Sequence, residues 1–230
     1  MRHCRLGPPT HTDAPHRGPT YRGTAVLAAS FFVGSIPFSN ITARLVRGVD
    51  LRTIGSGTVS GAALHEVAGF GPLAIAGILD VAKGALGPVL AGRDRPALAA
   101  AAAGAAVTGH NWSPFLRGAG GRGISPATGA LLATAPAGAA VLLGGLAAGR
   151  LLHETALGSL VADVAVVPVV RRVHGSPGAA VALTVLVPMI AKRLVGNAPL
   201  PLAGRRRTLV NRLLFDRDER VSPVGRGRSQ

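Results

Sequence analysis

The chain has 230 residues, 48% of them hydrophobic and 15% charged, with a net charge of +15 and a mean hydropathy of +0.38. A soluble nucleic-acid binder reaches such a charge by covering its surface with Lys and Arg and supplies aromatic rings for base stacking. Here aromatic residues are 3% of the chain, and the charges gather in tails and short loops, so that class is excluded. Residues 123–149 carry no charged side chain, and 175–191 hold only apolar, small and hydroxyl residues. The pattern predicts an all-α integral membrane protein with basic connections. Cys4 is the only cysteine, which excludes a disulfide framework and a cysteine-rich metal site.

Residues 1–22 are rich in Arg, His, Pro, Thr and Gly without helical period and read as a disordered basic extension. A signal peptide with 24–33 as its apolar region is the competing reading, but the apolar run continues through "GSIPF" without a clear small-residue cleavage site. The first span is therefore expected to be retained. The expected spans are 24–46, 70–92, 95–113, 123–134, 137–152, 156–170 and 175–195, several of them short for a bilayer that needs about 20 helical residues. Pro126, Pro136 and the "PAG" at 136–138 favour two helices over one within 123–152.

With seven spans and the N-terminus outside, Arg44, Arg47, Arg52, Arg117, Arg122, Arg150, Lys192, Arg193 and the tail all fall in the cytoplasm. Merging 123–152 would put the basic tail outside, against the positive-inside bias; six spans with both ends inside is the other arrangement. The membrane domain is taken as 23–203, and 204–230 as a basic cytoplasmic tail with eight arginines against three acids. That tail suits anionic-lipid contact, with a short amphipathic helix over 207–215.

Three polar clusters interrupt the apolar pattern. All would lie at the cytoplasmic side, where ionic and non-helical groups survive only when buried in protein or lining a wet cavity. In "GSIPFSNITAR" (34–44), Pro37 frees a carbonyl while Ser35, Ser39, Asn40 and Thr42 offer hydrogen bonds; a helix kink with polar helix contacts explains this equally well. In "DLRTIGSGTVSGAALHEVAGFG" (50–71), "GSGTVSG" suits a turn whose N–H groups point at an anion, or a plain connector, and Arg52 supplies a guanidinium fitted to phosphate.

The third cluster, "GHNWSPFLRGAGGRG" (109–123), combines close backbone approach at Gly118, Gly120, Gly121 and Gly123 with the charges of Arg117 and Arg122. His110 can be a base, a phosphate donor or a helix-end histidine. Trp112 and Phe115 can serve as interfacial anchors. Asp80 and Lys83 in "LDVAKGALGP" are three apart on a helix and form either an ion pair or a substrate contact. No Ser-His-Asp pattern and no metal-ligand spacing is present in the sequence.

In order, "GSIPF…R", "DLRxxGSGx", "LDVxKGxL" and "GHxxxxFLRxxGGRG" resemble the bacterial acyl-phosphate-dependent glycerol-3-phosphate acyltransferase family, from about residue 33 to 126 and more weakly through "TALGSL" (155–160) and "AKRLVGN" (191–197). The resemblance implies an integral membrane enzyme of phospholipid synthesis in the cell (inner, plasma) membrane. It implies about seven helices with cytoplasmic Gly-rich loops, and acyl transfer from acyl phosphate to glycerol 3-phosphate to give lysophosphatidate and phosphate. It also implies that no metal or other cofactor is used and that neither acyl-CoA nor acyl carrier protein is the direct donor.

By the same resemblance Ser35, Arg52, Ser56, Gly57, Thr58, Gly120, Gly121, Arg122 and Gly123 would bind the substrate phosphates, with His110 the candidate catalytic group. Several positions depart from the family pattern. Thr58 and Ala63 stand for asparagines, Glu66 for an arginine, Ala119 and Arg122 for lysines. "VPMIAKRL" lacks the usual His and Asn, and the acid expected just after it is missing. Each lost donor to a charged partner removes about 1.5–3 kcal/mol. The alternatives are therefore a catalytically silent relative that binds lipid phosphate or acyl phosphate, and a small-anion transporter.

Overall fold

The computed structural model describes residues 20–55, 57–200 and 204–216. The described residues form helices and loops with no strand among them: α1 (Thr20–Gly34), α2 (Phe38–Arg47), α3 (Gly61–Ala68), α4 (Phe70–Ala91), α5 (Pro96–Asn111), α6 (Ile124–Thr134), α7 (Pro136–Leu151), α8 (Thr155–Val195) and α9 (Arg205–Phe215). Among the described residues three stretches are long and apolar enough to cross a membrane, Tyr21–Arg47, Phe70–Ala91 and Thr155–Val195, and α6 and α7 are shorter apolar helices.

The stretch 155–195 is a hairpin, not one rod. Gly175 has φ 69°, ψ −163°, a region open essentially to glycine, and there the chain reverses. A straight helix would hold residues 156 and 193 about 55 Å apart at its ordinary rise, yet the Arg193 Nη2 donates to the Ala156 carbonyl at 2.7 Å. The expected spans 156–170 and 175–195 are therefore the two arms of α8. The expected first span differs: helical hydrogen bonding stops at Ser35–Pro37 and resumes at Phe38, because Pro37 has no N–H and disfavours a helical residue before it. Helix α1 also begins at Thr20, so the basic extension, expected to run to residue 22, gives way to helix before that; residues 1–19 lie outside the described set.

The alanines and glycines explain how short helices hold together in lipid, where apolar side chains gain nothing by leaving the bilayer. A Cβ on Gly84 would lie 2.0 Å from the Pro126 carbonyl oxygen, and one on Gly129 1.9 Å from that of Val81, so α4 and α6 touch backbone to backbone. Gly34 meets α5 at Ala106 in the same way, and Gly145 and Gly149 meet α8. The main core lies among α5, α6, α7 and α8, around Ala103, Val107, Leu131, Val166 and Val185. A smaller core, with Ala43, Leu51, Val59, Leu64 and Leu116, sits beneath the polar loops.

Candidate functional site

The break in the first span begins the site. Ser35 is fully buried and its Oγ donates to the Phe31 carbonyl at 2.7 Å. The Ile36 carbonyl accepts from the Phe38 N–H at 3.1 Å in a tight turn and from Lys83 Nζ at 2.6 Å. Lys83 also pairs with Asp80 at 2.7 Å and faces the Phe38 ring at 5.5 Å. The Asp80–Lys83 pair thus braces the broken helix from the middle of α4.

Loop 48–60 folds back over this break. Asn40 Oδ1 accepts the Leu51 N–H at 2.8 Å, and Asp50 caps the 3-10 turn Leu51–Thr53 by accepting from the Arg52 N–H at 3.0 Å. The Arg52 guanidinium closes on the same carboxylate, Nη2 to Oδ2 at 2.6 Å, and Arg44 joins from α2. Arg52 above all holds the Asp50 carboxyl far below the usual carboxylate range; burial opposes it, and Arg44 adds a further lowering. Further along, Gly57 takes a positive φ of 74° and Thr58 is buried. Ser56, the remaining predicted anion-binding residue of this loop, lies outside the described residues.

The third cluster closes the site from above. Helix α5 ends at His110–Asn111, and the chain turns through positive φ at Arg117, Gly118 and Gly123. The turn is fixed by its own backbone, Gly118 N–H to Ser113 O at 2.9 Å and Ser113 N–H to Ala119 O at 3.1 Å. Gly120 and Gly121 lie flat on the end of α5: a Cβ on Gly120 would be 2.3 Å from the His110 carbonyl oxygen, and one on Gly121 2.2 Å from the His110 Nε2. On its other side His110 Nδ1 stands 3.8 Å from Asp80. The imidazole is therefore wedged between the Asp80–Lys83 pair and the glycine loop.

These contacts draw the separate motifs into one body. Ser113 Oγ donates to the Ser35 carbonyl at 2.7 Å, the Val59 N–H to the Gly120 carbonyl at 3.2 Å, and Asn197 Nδ2 to both Thr58 Oγ1 at 3.3 Å and Gly120 O at 3.2 Å. Between α2 and the 114–117 turn lies an open cleft of about 670 Å³. Ile36, Pro37, Ile41 and Phe115 give it apolar walls, and Arg44, Arg52 and Arg117 ring it with charge. An apolar floor beside guanidinium groups fits an amphiphile with an anionic head.

Arg122 does not join that group. Its Nη1 donates to the Lys192 carbonyl at 2.9 Å and its Nε meets Asp216 at 2.8 Å, behind the loop. Sequence reasoning missed four groups that support the site. Lys192 is buried, 5.4 Å from the centre of the Trp112 ring. Asn111 Nδ2 ties α5 to the Pro188 carbonyl at 2.8 Å. Ser113 and Asn197 make the contacts given above. The "AKRLVGN" stretch was the one available signal for Lys192 and Asn197.

An all-helical bundle with apolar spanning segments, small-residue interfaces and polar glycine loops gathered at one end defines an integral membrane protein of the all-α class. The glycerol-3-phosphate acyltransferase family model matches residues 24–197, and the chain belongs to that family. It is 33% identical over 178 residues to a glycerol-3-phosphate acyltransferase of Halalkalibacterium halodurans, covering 74% of this chain and 86% of that one. It is 38% identical over 148 residues to one of Myxococcus xanthus, covering 63% and 77%. Among solved structures it is similar to PlsY (YgiH), an integral membrane glycerol 3-phosphate acyltransferase in its glycerol 3-phosphate form. That match has a TM-score of 0.68, 26% identity, and coverage of 87% of this chain and 96% of the other.

Proposed function

We propose that the protein transfers a fatty acyl group from acyl phosphate to a hydroxyl of glycerol 3-phosphate, forming lysophosphatidate and inorganic phosphate at the cell membrane. The observation that carries this reading is the apolar cleft rimmed by Arg44, Arg52 and Arg117, with the polar loops of the other motifs bonded together beside it; of the expected phosphate-binding residues Arg52 lines the cleft itself. The acyl chain lies along Ile36, Ile41 and Phe115, with the phosphates held by Ser35, Arg52, Ser56, Gly57, Thr58, Gly120, Gly121 and Gly123. Arg122 serves the same loop from behind. The site end and the C-terminal helix face the cytoplasm, and the exposed Arg205, Arg206 and Arg207 meet anionic lipid headgroups.

Both substrates are anions, so the guanidinium rim first offsets their repulsion. Acyl phosphate is already activated, and the remaining tasks are alignment and stabilisation of the charge on the carbonyl oxygen. The acceptor hydroxyl oxygen forms the new bond to the acyl carbon, the carbon–oxygen bond to phosphate breaks, and the hydroxyl proton leaves on the departing phosphate. His110, wedged between Asp80 and Gly121, supports the loop.

The test is direct: full-length protein in lipid, a long-chain acyl phosphate and labelled glycerol 3-phosphate, scored for lysophosphatidate. Product well above the uncatalysed rate, falling about tenfold or more with Arg52→Ala at sub-saturating substrate, is the expected result. No product from folded protein would overturn the reading in favour of a silent phosphate binder; counterflow of glycerol 3-phosphate in vesicles without product would favour a transporter.

A further inference from the structure

The C-terminal helix α9 lies beyond the residues the family model matches, which end at 197, yet it is built into the site end of the molecule. Arg212 on α9 is completely buried, and its guanidinium donates to the last carbonyls of α8 and just beyond: Nη1 to Val195 O at 2.5 Å and Leu194 O at 3.3 Å, Nη2 to Ala198 O at 2.7 Å. Helix ends leave such carbonyls without intrahelical partners, so this arginine fastens α9 to the end of α8. One residue past the end of the helix stands Asp216, with φ 52°. It meets Arg122 Nε at 2.8 Å and approaches Arg193 Nε at 4.0 Å, and Arg193 in turn reaches Asp163 at 3.5 Å. Two guanidinium groups thus share two carboxylates, and the Arg122 side chain is only 10% exposed. Arg122 also donates to the Lys192 carbonyl, and Lys192 Nζ reaches back to the Gly118 carbonyl at 3.4 Å.

We infer that α9 is a clamp for the glycine loop, and that Asp216 is a positioning residue acting through Arg122. The chain of contacts runs Arg212–α8, Asp216–Arg122, and from Arg122 along the backbone into Gly121 and Gly120. Backbone bonds seat those two glycines, Gly121 N–H to the His110 carbonyl at 3.3 Å and the Val59 N–H to the Gly120 carbonyl at 3.2 Å; they add no side-chain anchor, and the held Arg122 next to them supplies it. Arg122 then reaches substrate through loop geometry and not as a phosphate ligand. This assignment of a role in catalysis rests on the acyltransferase reading; the clamp itself does not.

The experiment is hydrogen exchange of residues 112–123 in the full chain in lipid, together with steady-state kinetics, for the parent protein, Asp216→Asn and Asp216→Glu. The Asn variant keeps the shape and removes the charge. Its loop amides should exchange about fivefold faster or more, the scale of a lost partly exposed ion pair. Its KM for glycerol 3-phosphate should rise about fivefold with kcat within about twofold, because binding geometry is lost and the chemical step is not. Asp216→Glu should restore both. Unchanged loop exchange in Asp216→Asn overturns the clamp, as does faster exchange spread evenly over all helices, which marks a folding defect. A fall in kcat with KM unchanged overturns the positioning role. A parent protein without acyl transfer overturns the function proposed above, and the exchange comparison still decides the clamp.

Discussion

Arg52 shows how a charged residue at a membrane site is kept in place. Its guanidinium is fixed by Asp50 while its edge borders the cleft, so Arg52→Ala should raise KM for both anionic substrates about tenfold or more, on the scale of a charged hydrogen bond. Arg52→Lys should restore only part, since an ammonium cannot hold Asp50 and an anion in one planar fork. Separate saturation curves for the two substrates check this. Asp50 itself gives a pH prediction. Its folded pKa is depressed by Arg52 and Arg44, so its contribution to stability is fully present above the ordinary carboxylate range and is lost as pH falls through the lower folded value. The Arg44–Asp50–Arg52 contact should therefore persist at about pH 4, where an unpaired aspartate is about half protonated. Comparing the parent with Asp50→Asn by thermal unfolding across pH 3–7 measures it: the difference should stay constant down to about pH 4 and narrow below that.

At the scale of elements, breaks matter more than helices. Pro37 stops α1, and Lys83 reaches the Ile36 carbonyl within that break; Gly175 lets a 41-residue helical run become two antiparallel arms. Space around Gly175 is open, the nearest atom to an added Cβ being 3.8 Å away, so Gly175→Ala is a test of backbone strain alone. It should destabilise by about 1–3 kcal/mol, read as a lower unfolding temperature in lipid or mild detergent, with kcat little changed at low temperature because the site lies at the other end of both arms. The pairing of α4 with α6 through Gly84 and Gly129 belongs to the same scale: glycine there serves close approach, and no sequence period announces it.

For the whole molecule, the arrangement of charge makes a topological prediction. Arg44, Arg52, Arg117 and the basic face of α9 gather at the end that carries the site, while Arg93 and Arg95 follow α4 at the other. The positive-inside bias then predicts that the site end faces the cytoplasm. In a Cys4→Ser background, a cysteine placed at Arg206 should be reached by an impermeant thiol reagent only after the cells are opened, and one placed at Arg93 in intact cells. The reverse pattern would put the glycine loops on the outer face and defeat access to a cytoplasmic phosphate substrate.

The sequence alone determined that this is a helical membrane protein, because runs such as 123–149 leave the chain no charged group with which to face water. It also placed the division of 123–152 at Pro136 and the start of the last span at Gly175, since those residues restrict or free the backbone locally, whereas the break of the first span at Pro37 and the short helix Gly61–Ala68 were not drawn. The ordered motifs were enough to indicate the family, and the glycines, Ser35 and Arg52 among the site residues were visible as polar groups in apolar surroundings. What tertiary structure decided was partnership. Asn197 meets Thr58 across 139 positions of chain, Ser113 meets Ser35 across 78, and Arg122 turns away from the cleft to Asp216. Local pattern fixes which backbone a residue can adopt and whether it tolerates lipid. Which of several arginines faces an anion and which holds a loop depends on where distant helices bring their carboxylates and carbonyls, and that is set by packing.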